Sequence, residues 1–192
     1  MNILVYCGSR SGISADFTAA AHGVAHALAD RSHGLVYGGG SIGLMGEIAR
    51  TMTDRNATVI GVLPTFMKTE EVAYQHCTEL LEVGSMHERK LKMLQRADGI
   101  IALPGGFGTM DELFEAVTWR QLGLHNRPIG ILNVAGYYDH LSAMIDMMLD
   151  SGFISPATHG LIRFDTDILP LLDWLEHHGS DADIDPLLPR WT

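Results

Sequence analysis

The sequence predicts a single-domain α/β protein of the doubly wound, Rossmann-like kind, a mainly parallel sheet flanked by helices. Three observations predict it. Short β-rich runs alternate with helical patterns along the chain. The runs are apolar throughout rather than alternately polar, as strands covered on both faces are. Glycine-rich loops stand where an apolar run turns into a helical pattern, above all Gly38-Gly39-Gly40-Ser41-Ile42-Gly43 and Pro104-Gly105-Gly106-Phe107-Gly108-Thr109.

Taken in order, residues 3–7 form the first strand and 14–31 the helix that follows. Next come a strand over 35–37, a helix over 43–55 and a strand over 59–63 that leads into a connecting stretch. The alternation continues with strands over 80–83, 99–103 and 129–133, each followed by a helix, over 86–97, 109–122 and 137–149. The residues at 138, 141, 144, 145, 147 and 148 give the last helix an apolar face of Tyr, Leu, Ile and Met that reads as core. Loops at the carboxyl ends of parallel strands line the crevice where such folds bind ligands, and the glycine loops fall at those ends. Residues 1–178 make the domain and 179–192 a loosely docked tail mixing Asp, Pro and Gly.

Composition narrows the function. A chain of 192 residues with 46% hydrophobic content buries one sizeable core, and its closely spaced apolar runs leave no linker between domains. With 13 basic against 23 acidic residues the formal charge is -10, which repels DNA or RNA but still allows a single anionic nucleotide to bind through local amides and arginines. Cys7 and Cys77 have no metal-ligand spacing and read as reduced thiols, which fits a cytoplasmic protein. No segment approaches the roughly 18 consecutive apolar residues of a membrane span, and the N-terminus lacks the pattern of a secretory leader.

A glycine loop at a helix start lets backbone N–H groups approach an anion at the positive end of the helix dipole, so phosphate is the expected guest. Gly38-x-Gly40-x-x-Gly43 satisfies the dinucleotide fingerprint in spelling, yet it follows the second strand. The third strand ends in Gly61-Val62-Leu63-Pro64 without the acidic residue that holds a ribose, so NAD is not expected. Thr109 and Glu112 have the spacing of a capping box, in which the glutamate merely starts a helix; from spacing alone this stands beside a catalytic reading. Ser85 and Glu88 form a second candidate box, which places Arg89 and Lys90 in a first helical turn where cations oppose the dipole by about 0.3–1 kcal/mol each. His22 and His26 share a helix face, but no HExxH pattern accompanies them; with His177 and His178 they read as solvated positions, and no metal is expected.

The row PGGFGTMDE at 104–112 resembles the PGGxGTxxE signature of the Lonely Guy (LOG) family, cytokinin riboside 5'-monophosphate phosphoribohydrolases once misnamed lysine decarboxylases. VYCGSRSG at 5–12, GGGSIGLMG at 38–46, MHERK at 86–90 and TWRQLGLHNRPIGILN at 118–133 extend the resemblance over most of the chain. It implies hydrolysis of the N-glycosidic bond of a cytokinin ribotide or AMP without a cofactor, with Arg89 and Glu112 catalytic. It also implies a homodimer with active sites near the interface. The 5'-phosphate is expected on Gly105, Gly106, Gly108 and Thr109, with Gly8, Ser9, Gly39 and Gly40 closing the pocket. Lys90, Asp111 and Thr118 are further expected contacts, and Glu71, or its neighbour Glu70, matches a substrate-contacting acid of the family. Two rivals stand beside this reading. One is a non-catalytic nucleotide carrier or sensor. The other, a pyridoxal phosphate decarboxylase, would need a Schiff-base lysine, and Lys68, Lys90 and Lys92 lack a recognisable cofactor context.

Overall fold

The computed structural model describes residues 1–68 and 72–179. Chain order is β1 (Asn2–Tyr6), α1 (Ala15–Asp30), β2 (Gly34–Tyr37), α2 (Gly43–Asp54), β3 (Val59–Pro64), β4 (Glu79–Val83) and α3 (Met86–Gln95). It continues with β5 (Gly99–Ala102), α4 (Phe107–Gln121), β6 (Ile129–Leu132), α5 (Asp139–Asp150), the short α6 (Pro156–His159), β7 (Ile162–Asp165) and α7 (Ile168–Gly179). The seven strands lie in the order β4-β3-β2-β1-β5-β6-β7, every neighbouring pair parallel. The expected doubly wound sheet is therefore present.

Alternate residues of each strand serve two cores. Ile3, Val5, Leu35 and Tyr37 pack with α1, α2 and α7, whereas Leu4, Tyr6, Val36 and Val62 pack with α3, α4 and the start of α5. Both faces being covered is why the strands read as continuous apolar runs. Right-handed crossovers fix the layering. The chain winds outward from β1 to β4 with α1 and α2 on one face; α3 then returns from that edge to β5 across the other face, and α4 follows on the same side. β1 and β5 thus lie side by side while their connections diverge, which opens a crevice at their carboxyl ends.

The structure corrects several expectations. Beyond residue 149 the sequence reading bounded no strand or helix and placed only His177 and His178, as solvated helix positions, yet α6, β7 and α7 follow, and Leu171, Leu172 and Leu175 of α7 are fully buried. The face expected to be core on α5 holds for Tyr138 and Ile145, while Met144 and Met147 stand exposed. His22 meets Glu47, and His26 meets the Arg55 side chain. Of the expected tail only Gly179 falls within the described residues.

His125, in the segment between α4 and β6, is buried with both ring nitrogens engaged. Nε2 faces the Ala116 carbonyl at 2.8 Å and Nδ1 accepts from the Arg127 amide at 3.1 Å, a pairing that only the neutral ring satisfies. Burial pushes its pKa down to about 4. Because the folded value lies below the unfolded one, the unfolded chain takes up the proton first, and stability is lost as pH falls from about 6.5 toward 4. Urea unfolding at pH 7.5 and 5.0 should show a loss of about 2 kcal/mol from this group, and His125→Gln should flatten the difference.

Candidate active site

The crevice between β1 and β5 holds a cleft of about 620 Å³. Its walls are the two loops that leave these strands, stitched together by the Gly8 amide donating to the Pro104 carbonyl at 3.0 Å. The stitching demands glycine: a Cβ on Gly8 would stand 2.8 Å from the Arg10 carbonyl oxygen, and one on Gly105 would stand 2.1 Å from Thr109 Oγ1. Gly106 and Gly108 differ, because a Cβ on either would meet nothing within 4 Å. Protein packing does not require those two glycines; they leave room on the cleft side.

Helix α4 begins at Phe107 with Gly106 as N-cap, and no side chain caps it. The Thr109/Glu112 capping box is therefore not formed: the helix starts two residues earlier, Thr109 is already inside it and Glu112 is free for other work. α2 likewise starts without a side-chain cap, at Ile42. Serines cap α1 and α3, at Ser14 and Ser85. The first-turn amides of α4 have no acceptor within the helix and open onto the cleft, a ready seat for an anion. The second candidate box is real in part, since Ser85 Oγ accepts from the Glu88 amide at 3.1 Å while the Glu88 carboxylate accepts from Gly84 N at 2.7 Å.

At the floor, Arg89 from α3 meets Glu112 from α4 with Nη1 2.9 Å from Oε1, both side chains about nine-tenths buried. Arg89 also donates from Nε to the Val62 carbonyl at 3.1 Å and from Nη2 to the Gly38 carbonyl at 3.1 Å. Three of its five N–H groups are thus fixed by three separate chain segments. Arg89 chiefly holds Glu112, with one N–H left on each terminal nitrogen. Burial raises the Glu112 carboxyl above its ordinary range, against the pull of Arg89. Glu112 Oε2 has no partner among the described residues, and no buried side-chain polar atom there lacks one, so Oε2 is open to the cleft. Cys7 also lies on the floor, where burial first and the Glu112 charge second push its thiol up and keep it protonated.

The other expected residues divide. Ser9 and Thr109 line the cleft with Gly8, Gly105, Gly106 and Gly108. Gly39 and Gly40 do not; they are laced to the segment at 72–74, the Gly39 carbonyl accepting from Tyr74 N at 2.9 Å and Gly40 bridging Ala73. Lys90 is turned away behind the Arg89–Glu112 pair, its ammonium 2.7 Å from Glu115 and 3.1 Å from Asp111. Thr118 lies exposed on α4 outside the cleft lining, and Glu70 and Glu71 fall outside the described residues. Sequence reasoning passed over Arg10, Phe17, Met45 and Tyr137, which also line the cleft. Arg10 stands inside the quoted VYCGSRSG row, and a cation beside a glycine loop was the available signal. Phe17, Met45 and Tyr137 gave none, because nothing in a helical pattern marks which apolar residue faces a cleft.

The family model described as "Possible lysine decarboxylase" matches residues 45–173. A probable cytokinin riboside 5'-monophosphate phosphoribohydrolase of Oryza sativa subsp. japonica is 45% identical over 176 residues, which cover 92% of this chain and 78% of that protein. A cytokinin riboside 5'-monophosphate phosphoribohydrolase of Arabidopsis thaliana is 43% identical over 181 residues, covering 94% and 85% respectively. Among solved structures, the molybdenum cofactor carrier protein from Chlamydomonas reinhardtii superposes with a TM-score of 0.72 at 18% identity, over 93% of this chain and 98% of that one. At that identity the likeness is one of fold.

Proposed function

Since this chain belongs to the cytokinin riboside 5'-monophosphate phosphoribohydrolase (LOG) family, we propose that it hydrolyses the N-glycosidic bond of cytokinin ribotides, AMP or both. The products are the free base and ribose 5-phosphate. The observation that carries the reading is the Arg89–Glu112 pair at the floor of a cleft whose rim is an uncapped helix N-terminus.

The 5'-phosphate rests on the amides at 106–109, and its binding energy holds the anomeric carbon over Glu112. As the bond to the base breaks, positive charge grows on the ribose ring, and Oε2 gains attraction that the ground state lacks. Arg89 keeps the carboxylate ionised and aimed in spite of its burial. Water supplies the oxygen that bonds to the anomeric carbon, and the base leaves with the bonding electrons and takes a proton. The decarboxylase reading fails on Lys90. Burial alone would lower its pKa, but Glu115 and Asp111 outweigh that and hold the ammonium above the lysine range, the reverse of what a Schiff-base lysine needs. The carrier reading has only likeness of fold behind it.

Three finer points follow from the same reading. Exposed Phe114, Met144 and Met147 support a homodimer. Free Cys7 and Cys77 fit the cytoplasm. Among the described residues no helix is long and apolar enough to cross a membrane.

The test is chromatographic product analysis with AMP and isopentenyladenosine monophosphate. Free base is expected from at least one of them, and only slowly from adenosine. No base from either nucleotide would defeat the reading.

A further inference from the structure

In the loop that receives the phosphate in the reading above, four successive carbonyls, at residues 103–106, are all occupied. Leu103 O accepts from Tyr138 OH at 2.7 Å, Pro104 O from the Gly8 amide at 3.0 Å, Gly105 O from Tyr137 OH and Gly106 O from the Met110 amide at 3.1 Å. A carbonyl turned toward a phosphate would repel it. With each one tied elsewhere, the loop offers the cleft its amides alone.

Two of the four ties come from adjacent tyrosines on one turn. After β6 the chain takes left-handed backbone at Ala135 (φ 51) and Gly136 (φ 74), a conformation that a non-glycine residue rarely adopts. The turn is locked by Asn133, whose Oδ1 accepts from the Tyr138 amide at 2.7 Å and whose Nδ2 donates to Asp139 at 2.6 Å. The reversal sends both phenols to the β5–α4 loop. Their rings meet edge-on at 4.9 Å, and Tyr137 meets Phe17 edge-on at 5.6 Å. Tyr138 is buried, as a core residue with one satisfied hydroxyl would be. Tyr137 is 44% exposed at the cleft wall, where water could satisfy its hydroxyl, yet it reaches the carbonyl between two glycines. Glycine peptides rotate with least steric resistance, so this is where a tie has most effect.

We propose that Tyr137, backed by Tyr138, is a positioning residue that fixes the orientation of the Gly105–Gly106 peptide by occupying its carbonyl and so sets the preference for a 5'-phosphorylated substrate. The proposal rests on the phosphoribohydrolase reading. Tyr137→Phe keeps the ring and its edge contacts and removes the tie alone.

Calorimetry should show ribose 5-phosphate binding about ten-fold weaker to Tyr137→Phe than to wild type, the scale of one lost hydrogen bond to a site of this kind. KM for AMP should rise by a similar factor with a much smaller change in kcat, and kcat/KM for unphosphorylated adenosine should move far less. The unfolding midpoint should stay at the wild-type value. Tyr138→Phe should weaken ribose 5-phosphate binding in the same direction while lowering the midpoint, because its hydroxyl is buried. Equal ribose 5-phosphate affinity in wild type and Tyr137→Phe overturns the proposal and leaves the phosphoribohydrolase reading standing. Equal losses toward AMP and adenosine also overturn it, in favour of a general structural role. Wild type that binds ribose and ribose 5-phosphate alike removes both the proposal and the reading beneath it.

Discussion

Glu112→Gln is expected to lower kcat by about 1,000-fold or more, since among the described residues it removes the only carboxylate that lines the cleft, where positive charge would grow on the ribose. The same variant should unfold no more easily than wild type at pH 7. Burial raises the Glu112 carboxyl in the folded state, so its contribution to stability is present in acid and is lost as pH rises through that raised value. At neutral pH the ionised group burdens the fold, and a neutral amide that still accepts from Arg89 relieves it. Wild-type kcat should fall on the acid side at a pH above the ordinary carboxylate range, and Arg89→Met, which loses the lowering influence of the guanidinium, should move any residual acid limb higher. Single-turnover rates and denaturant unfolding of the purified variants decide the matter. Turnover within ten-fold of wild type would assign the chemistry elsewhere.

Gly38→Ala is expected to disable the enzyme without touching a group that meets substrate. A Cβ there would stand 1.9 Å from Arg89 Nη2 and 3.0 Å from its Cζ. The guanidinium must abandon the Gly38 carbonyl, and Glu112 loses its anchor with it. Overpacking at such a point destabilises by about 1–3 kcal/mol, and misplacing the pair by an ångström lowers turnover by about 100-fold. Steady-state kinetics beside thermal unfolding would show both effects. A kcat near wild type would mean that Arg89 can leave its seat freely, against the three-point anchorage.

The sheet was legible because covered strands advertise themselves: runs such as Ile100-Ile101-Ala102-Leu103 leave little choice of element. β7 is hard to see because Ile-Arg-Phe-Asp at an edge is half-buried and carries two charges, and the start of α7 because a proline in its first turn, Pro170, interrupts the pattern that Leu171, Leu172 and Leu175 would otherwise give. Both glycine loops were visible in spelling, but not their division of labour. Gly38 gives its carbonyl to Arg89, Gly39 and Gly40 serve the β3–β4 side, and only the 104–109 loop faces the cleft. The Thr109/Glu112 spacing fitted two structures equally, and local sequence could not weigh them, because Arg89, the partner that decides between them, stands 23 residues away. Lys90 shows the same limit. Its neighbour in sequence enters the site while it turns behind the site, a distinction that depends on helix phase and not on composition.

On the phosphoribohydrolase reading, the bare start of α4 would make the nucleotide part of the fold. The N-cap is Gly106, poorer than a capping side chain by only about a few tenths of a kcal/mol, but it leaves the first-turn amides without a side-chain acceptor. On the proposed reading a bound phosphate would supply what the chain omits, and by linkage the folded population would grow with nucleotide concentration. Product shares the benefit, because ribose 5-phosphate carries the same phosphate. A protein built this way would unfold least readily at high nucleotide concentration and most readily without nucleotide, so its thermal midpoint would report occupancy of the cleft.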